Sequence, residues 1–211
     1  MRKGLSRSEL VAAALDLLDD VGLDGLNMRA LAAGLDVKAP AIYWHFAHKQ
    51  ALIDEMATEL WRQVVAARPR LDTWQESMVA FALELRRTLL AHRDGARLFS
   101  GTYLTDVSVL EAQEEPLAAM VAAGVELEVA VDVSSVLYAY TIGATIEEQA
   151  IRQTSIADDR YSLERCEERL DPHLFPMMTA AGRLVLTDPG RRFDRNVRQL
   201  VAAFEHWGEQ D

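Results

Sequence analysis

The chain has 211 residues, half of them hydrophobic, with few glycines and prolines; that suits one or two compact domains with a sizeable core and favours helix over sheet. Its lone cysteine, Cys166, excludes an internal disulfide and a cysteine-based zinc site, and reads as a packed or partly exposed thiol in a reducing cytoplasm. The net charge of −11 argues against a polyanionic partner, but residues 1–49 carry six basic and six acidic side chains, so the whole excess lies beyond them and any contact with nucleic acid must fall in that neutral first segment.

The basic start of the chain is followed by no apolar run, so no signal peptide is expected, and no stretch reads as long and apolar enough to span a membrane. Ser6 or Ser8 can cap a first helix, in which Leu10, Ala14, Leu17, Leu18 and Val21 recur at helical spacing. Gly22 ends it and Asp24-Gly25 makes the turn. Asn27 caps a short helix over 28–33, which Gly34 closes. A third short helix holds Ile42, Tyr43 and Trp44, with Pro40 in its first turn, where a missing N–H is harmless. Residues 48–67 form a long amphipathic helix through Leu52, Ile53, Met56, Leu60, Trp61 and Val64, stopped by Pro69. Further helices are expected near 74–91, 106–123, 126–153, 163–183 and 190–207, with the polar stretch 154–171 as a mobile connection. The class is all-α.

Residues 26–49 carry the chemistry. A short helix, a glycine turn and a second short helix make a helix-turn-helix spacing. Leu31, Leu35 and Val37 would join the pair, with Ala32 and Ala33 small enough for close approach. The second helix would then offer Lys38, Ala39, Pro40 and Ala41 to base edges in a major groove, its positive end towards the phosphates. Trp44 and Tyr43 have a rival reading as core aromatics, His45 as a solvated residue, and Lys38 and Lys49 as plain surface charges.

The run Ala41-Ile42-Tyr43-Trp44-His45-Phe46, followed by Lys49-Gln50-Ala51-Leu52, resembles the signature of the TetR (tetracycline repressor) family, and the first two helices match that family's DNA-binding domain. His92-Arg93-Asp94-Gly95-Ala96, Gly101-Thr102 and Thr145-Ile146-Glu147-Glu148-Gln149 resemble segments of its ligand-binding core. The resemblance implies an N-terminal helix-turn-helix domain (1–49), a connecting helix (50–69) and a C-terminal helical bundle for ligand binding and dimerisation (70–211). It implies a repressor in the cytoplasm that binds a palindromic operator as a homodimer and is released by a small organic effector. Arg29 and Lys38 would contact bases or phosphates, with Asn27 and Met28 at the start of the first helix of the pair. Pro40 and Ala41 would make apolar contacts, and Tyr43, Trp44, His45 and Lys49 would clamp the backbone. Met28 and Ala39 replace polar side chains of the family's pattern, which implies a changed operator preference.

The family's drug-and-metal chemistry is missing here. Phe99 and Val64 or Val65 stand where histidines are expected and Phe81 where an amide is, while Thr102 and Glu147 are kept; a Phe or Val offers no lone pair to a metal. No cofactor and no metal is therefore expected. Phe81, Leu85, Phe99, Thr102, Tyr103, Tyr138 and Glu147 are the candidate ligand pocket, with plain core packing as the rival reading. Glu115 and Glu147 point to a cationic ligand. Gly95 and Gly101 flank a candidate hinge. Leu174, Met177, Met178, Leu184 and Leu186, with Phe193, Val197, Leu200, Val201 and Phe204, are dimer-surface candidates, with burial inside one subunit as the rival reading.

An enzyme is disfavoured: the chain has no GxGxxG, P-loop, GxSxG, CxxC or HExxH pattern. His45 and His48 have a spacing that can bind metal but straddle a helix junction. An acidic interaction protein without DNA binding would leave the Lys38–Lys49 segment unexplained.

Overall fold

A computed structural model describes residues 5–69, 71–157 and 162–204, giving the backbone alone for 154–157 and 166, and among these residues every regular element is an α-helix. The first four are α1 (Arg7–Gly25), α2 (Met28–Gly34), α3 (Ala39–Tyr43) and α4 (Lys49–Ala67). The body follows as α5 (Trp74–Leu90), α6 (Gly95–Phe99), α7 (Ser108–Ala122), α8 (Leu127–Ala157), α9 (Leu163–Arg169), α10 (Pro176–Thr187) and α11 (Pro189–Phe204).

Side chains set the starts of the early helices. Ser6 and Glu9 close a reciprocal capping box on α1. Asn27 Oδ1 accepts the Ala30 N–H at 2.9 Å. His48 lies outside α4 rather than within it, because its Nδ1 accepts the Ala51 N–H at 3.1 Å and so caps the helix.

The later boundaries differ from expectation. α6 was not foreseen: five residues are too few to show a period. The expected helix over 163–183 is two, α9 and α10, and Pro176 opens the second at a position that needs no N–H. Residues 163–169 are helical instead of a loose connection, and α8 runs on to Ala157. The Cys166 side chain and His206 lie outside the described residues.

The stretch Leu127–Gln153 of α8, with mean hydropathy 1.4, is long and apolar enough to cross a bilayer, contrary to the sequence reading. Its apolarity has a different use, since α8 packs against α5, α6, α7 and α11.

Two apolar clusters hold the chain together. The first joins Leu10 and Leu18 of α1, Leu31, Ile42 and Leu60 to Leu85, Leu98 and Ile142, so head and body share one core. The second joins Met78, Met120, Val133 and Leu137 to α11. Phe193, Val197, Val201 and Phe204 are buried there and Leu200 packs against it, so within one subunit these dimer candidates are already spent. α10 has no buried residue: Leu174 just before it and Met177, Met178 and Leu184 on it are exposed, and Leu186 is half-buried.

α1 is broken near its end. Gly22 has φ +72° and ψ 173°, a conformation nearly closed to residues with a Cβ. A Cβ there would also meet Asp94 Oδ2 at 2.9 Å. Gly22→Ala should therefore destabilise the protein by about 1–3 kcal/mol. Gly34 ends α2 with open space around it, so Gly34→Ala should stabilise by about 0.4–1 kcal/mol. Urea titrations of both variants beside the parent check the opposite signs.

Candidate nucleic-acid interface and ligand cavity

α2 and α3 pack through Leu31, Ala32, Ile42 and Phe46, all buried, with Leu35 and Val37 against them and Ala33 on the surface. The left-handed residue of the turn is Asp36, at φ +52°, rather than Gly34. The chain reverses there as Val37 N–H donates to Ala32 O at 3.0 Å.

Most of the expected reading residues are exposed on the helix-turn-helix. Asn27, Arg29, Lys38, Pro40, Ala41 and Tyr43 are exposed, and Trp44 is 88 % exposed, so it is no core aromatic. Ala39 and His45 are half-buried. Two residues are withdrawn from that surface. Met28 is 5 % exposed, because helical spacing puts it on the same face as Leu31 and Ala32. Lys49 donates from Nζ to Leu23 O at 3.2 Å, holding the start of α4 to the end of α1.

Arg7 braces the far end of α3. Its guanidinium donates to His45 O at 2.9 Å, lies 4.4 Å from the centre of the Phe46 ring and pairs with Glu55 at 2.9 Å. Glu55 is 9 % exposed and also accepts from Arg62 and from the Thr105 hydroxyl at 3.1 Å. Burial acts to raise its pKa, but Arg7, Thr105 and Arg62 outweigh it and hold the carboxyl below its ordinary value. Arg62 further holds Asp106 down at about 2.

A second clasp joins the Gly22 break to the body. The break frees the Leu23 N–H, and Asp94 Oδ2 accepts it at 2.9 Å. Asp94 Oδ1 accepts from Gln153 at 3.1 Å and pairs with Arg97. Gln149 holds the same corner, accepting from Ala96 N–H and donating to Leu89 O and His92 O. His92 and Arg93 reach back to Asp19 on α1.

Between α4, α5, α7 and α8 lies a cavity of 510 Å³. Phe81, Phe99, Thr102 and Tyr138 line it. Three other candidates do not: Leu85 is buried in the first core cluster, Tyr103 is 77 % exposed, and Glu147 lines a separate cleft between α8 and α11. Aromatic rings make one wall, with Trp61 edge-on to Phe81 at 5.5 Å and stacked on Phe99 at 6.3 Å. Burial raises the Tyr138 pKa, so its phenol keeps its proton at neutral pH. Among the described residues that line it there is no histidine and no carboxylate. Glu115 stays outside, 3.5 Å from the lining residue Arg68.

Sequence reasoning missed Trp61, Arg68, Met78, Gln113 and Ser134 as lining residues. Trp61 reads as ordinary packing on α4, and its buried Nε1, without a hydrogen-bond partner among the described residues, is visible only in three dimensions. No sequence signal marks Arg68.

Residues 10–56 match the family model described as bacterial regulatory proteins, tetR family, and residues 67–203 match that of the tetracyclin repressor-like C-terminal domain. The class D tetracycline repressor protein of Escherichia coli is 32 % identical over 95 % of this chain and 89 % of its own length. A crystal structure of a possible TetR family transcriptional regulator from Streptomyces coelicolor A3(2) superposes with a TM-score of 0.82 at 32 % identity, covering 95 % of this chain and 98 % of that one. BioQ, crystallised with its natural double-stranded DNA operator, gives a TM-score of 0.59 at 37 % identity, covering 72 % of this chain and 93 % of that one.

The Asp94 clasp has a pH signature. Burial acts to raise this carboxyl's pKa, but Leu23 N–H, Gln153 and Arg97 outweigh it, so its folded pKa is depressed. A depressed carboxyl contributes stability above its unfolded pKa of about 3.9 and loses it as pH falls through the folded value. Parent and Asp94→Asn should therefore differ in urea midpoint at pH 7, and the gap should close as the pH drops below about 4.

Proposed function

The chain belongs to the tetR family of bacterial regulatory proteins and is a DNA-binding transcriptional regulator, not an enzyme; from that premise we propose that it is a repressor that grips a palindromic operator as a homodimer and lets go when a small organic molecule enters the body. Residues 1–49 are the reading head, 50–69 the connecting helix and 70–211 the ligand-binding and dimerisation part. The cytoplasm is its place of work.

One observation carries the DNA reading. On a chain of net charge −11, the exposed surface of a helix-turn-helix offers Arg29, Lys38, Pro40, Ala41, Tyr43 and Trp44. In this reading Lys38 and Arg29 meet phosphates or base edges, Pro40 and Ala41 meet apolar groups such as a thymine methyl, and Tyr43, Trp44 and His45 fix the backbone. Asn27 acts through its cap on α2, and Lys49 and Met28 hold the head in shape.

The exposed apolar run from Leu174 to Leu184 supports self-association, since an isolated surface strip of that kind is a partner face. Two-fold pairing would set two reading heads one or more duplex turns apart (~34–36 Å per turn). The effector reading rests on the aromatic cavity, and its lining argues for a molecule that arrives without a metal.

Selection from randomised duplexes, followed by binding measured against salt, tests the DNA reading. Specific affinity for a palindrome should fall steeply with salt, and Lys38→Ala should weaken all sequences alike while lowering the salt slope by about 1. No specific binding at any salt would sink it.

The Gly95–Gly101 stretch is the proposed hinge. Gly101 has φ +72°, with open space around it, so Gly101→Val strains the backbone without a clash. It should leave effector and operator affinities measured separately near the parent's while removing their antagonism; unchanged release of DNA by effector would refute the hinge.

A further inference from the structure

We infer that the cavity selects an aromatic organic acid, whose anionic group takes Arg68 away from Glu115. The inference rests on the reading of this cavity as the effector site and reverses the cationic preference expected from Glu115 and Glu147. Glu147 lines the other cleft. Glu115 is spoken for and faces water.

Among the described residues lining the cavity, Arg68 is the only one with a formal charge. Its side chain is 17 % exposed, but that of its partner Glu115 is 70 % exposed, and the ion pair between them is 3.5 Å long. A long ion pair with one partner in water is weak. A carboxylate or sulfonate arriving from the cavity side can meet two guanidinium N–H groups at once, which is the stronger geometry.

The Tyr138 phenol on the lining stays protonated and can donate. Thr102 and Ser134 have already given their hydroxyl protons to Phe99 O and Ala130 O. With their hydrogens so used, these two hydroxyls can only accept, so the anion preference rests on Arg68, with Tyr138 able to add one donor. The aromatic wall of Trp61, Phe81, Phe99 and Tyr138 takes a flat body.

The preference is local. A chain of net charge −11 repels anions at long range, so selectivity for one must come from Arg68 itself. Arg68 is also the residue that caps the end of α4, whose other end starts at the reading head. An anion there acts on the helix that carries the head.

The test uses two probes of one skeleton on the full chain: 8-anilinonaphthalene-1-sulfonate and neutral N-phenyl-1-naphthylamine, titrated by fluorescence. The parent should bind the sulfonate about tenfold more tightly at one site per chain, the scale of one charge-assisted pair. Arg68→Gln should abolish that preference and leave the neutral probe unchanged, and Glu115→Gln should tighten the sulfonate. Ser135→Trp, with helicity checked by circular dichroism, should block both. Equal affinities in the parent, a sulfonate affinity unmoved in Arg68→Gln, or a preference that survives Ser135→Trp would overturn the acid selectivity while leaving an effector cavity. Binding of neither probe would overturn both readings.

Discussion

A single carboxylate, Asp94, settles how the reading head sits on the helical body. It accepts the backbone N–H of Leu23 in the head and the amide of Gln153 in α8, two groups far apart in the chain. The Leu23 N–H is free to be accepted because Gly22 leaves the helix one residue earlier. Gly95 must follow Asp94 for a related reason: any Cβ there would collide with Leu89 O. The break, the carboxylate and the close turn therefore form one device. Removing any part leaves a buried polar group without a partner, which costs more than the bond itself gains.

The head is tied a second time through Glu55, and the two ties differ in what they can transmit. Asp94 holds the backbone of the head through its carboxylate and fixes position. Glu55 collects Arg7, Arg62 and Thr105, so it connects the end of α3 to the segment that follows the cavity wall at Thr102 and Leu104. Both ties cross a region where the apolar core is continuous. A shift of the wall is thus felt by packed side chains that have little room to absorb it.

The sequence made the front of the molecule readable because its helices announce their own ends. Ser6, Asn27 and Pro69 mark boundaries by local chemistry, and local chemistry survives folding. The helix-turn-helix followed from spacing, but which of its residues stay outside did not: Met28 was counted as a reader because α2 alone does not say which face α1 and α4 cover. The same gap appears in α11, whose Phe193, Val197 and Val201 form a strip that suits a partner subunit or its own core equally well. The cavity was half legible. Phe81, Phe99 and Thr102 came from the family pattern, whereas Trp61 reads as plain packing on α4 and Arg68 is only the residue that follows that helix. Arg68 matters through its place at a helix end beside a void, and no spacing encodes a void.

The placing of the tryptophans has a practical side. Trp44 stands in water at the edge of the head, and Trp61 is enclosed at the ring-lined wall of the body. Their indoles sit in opposite solvents, so they emit at different wavelengths, the outer one to the red. With the other two tryptophans, Trp74 and Trp207, replaced by Phe, each end of the molecule would carry its own optical label, and events at the two ends could be followed separately by light without attaching any dye.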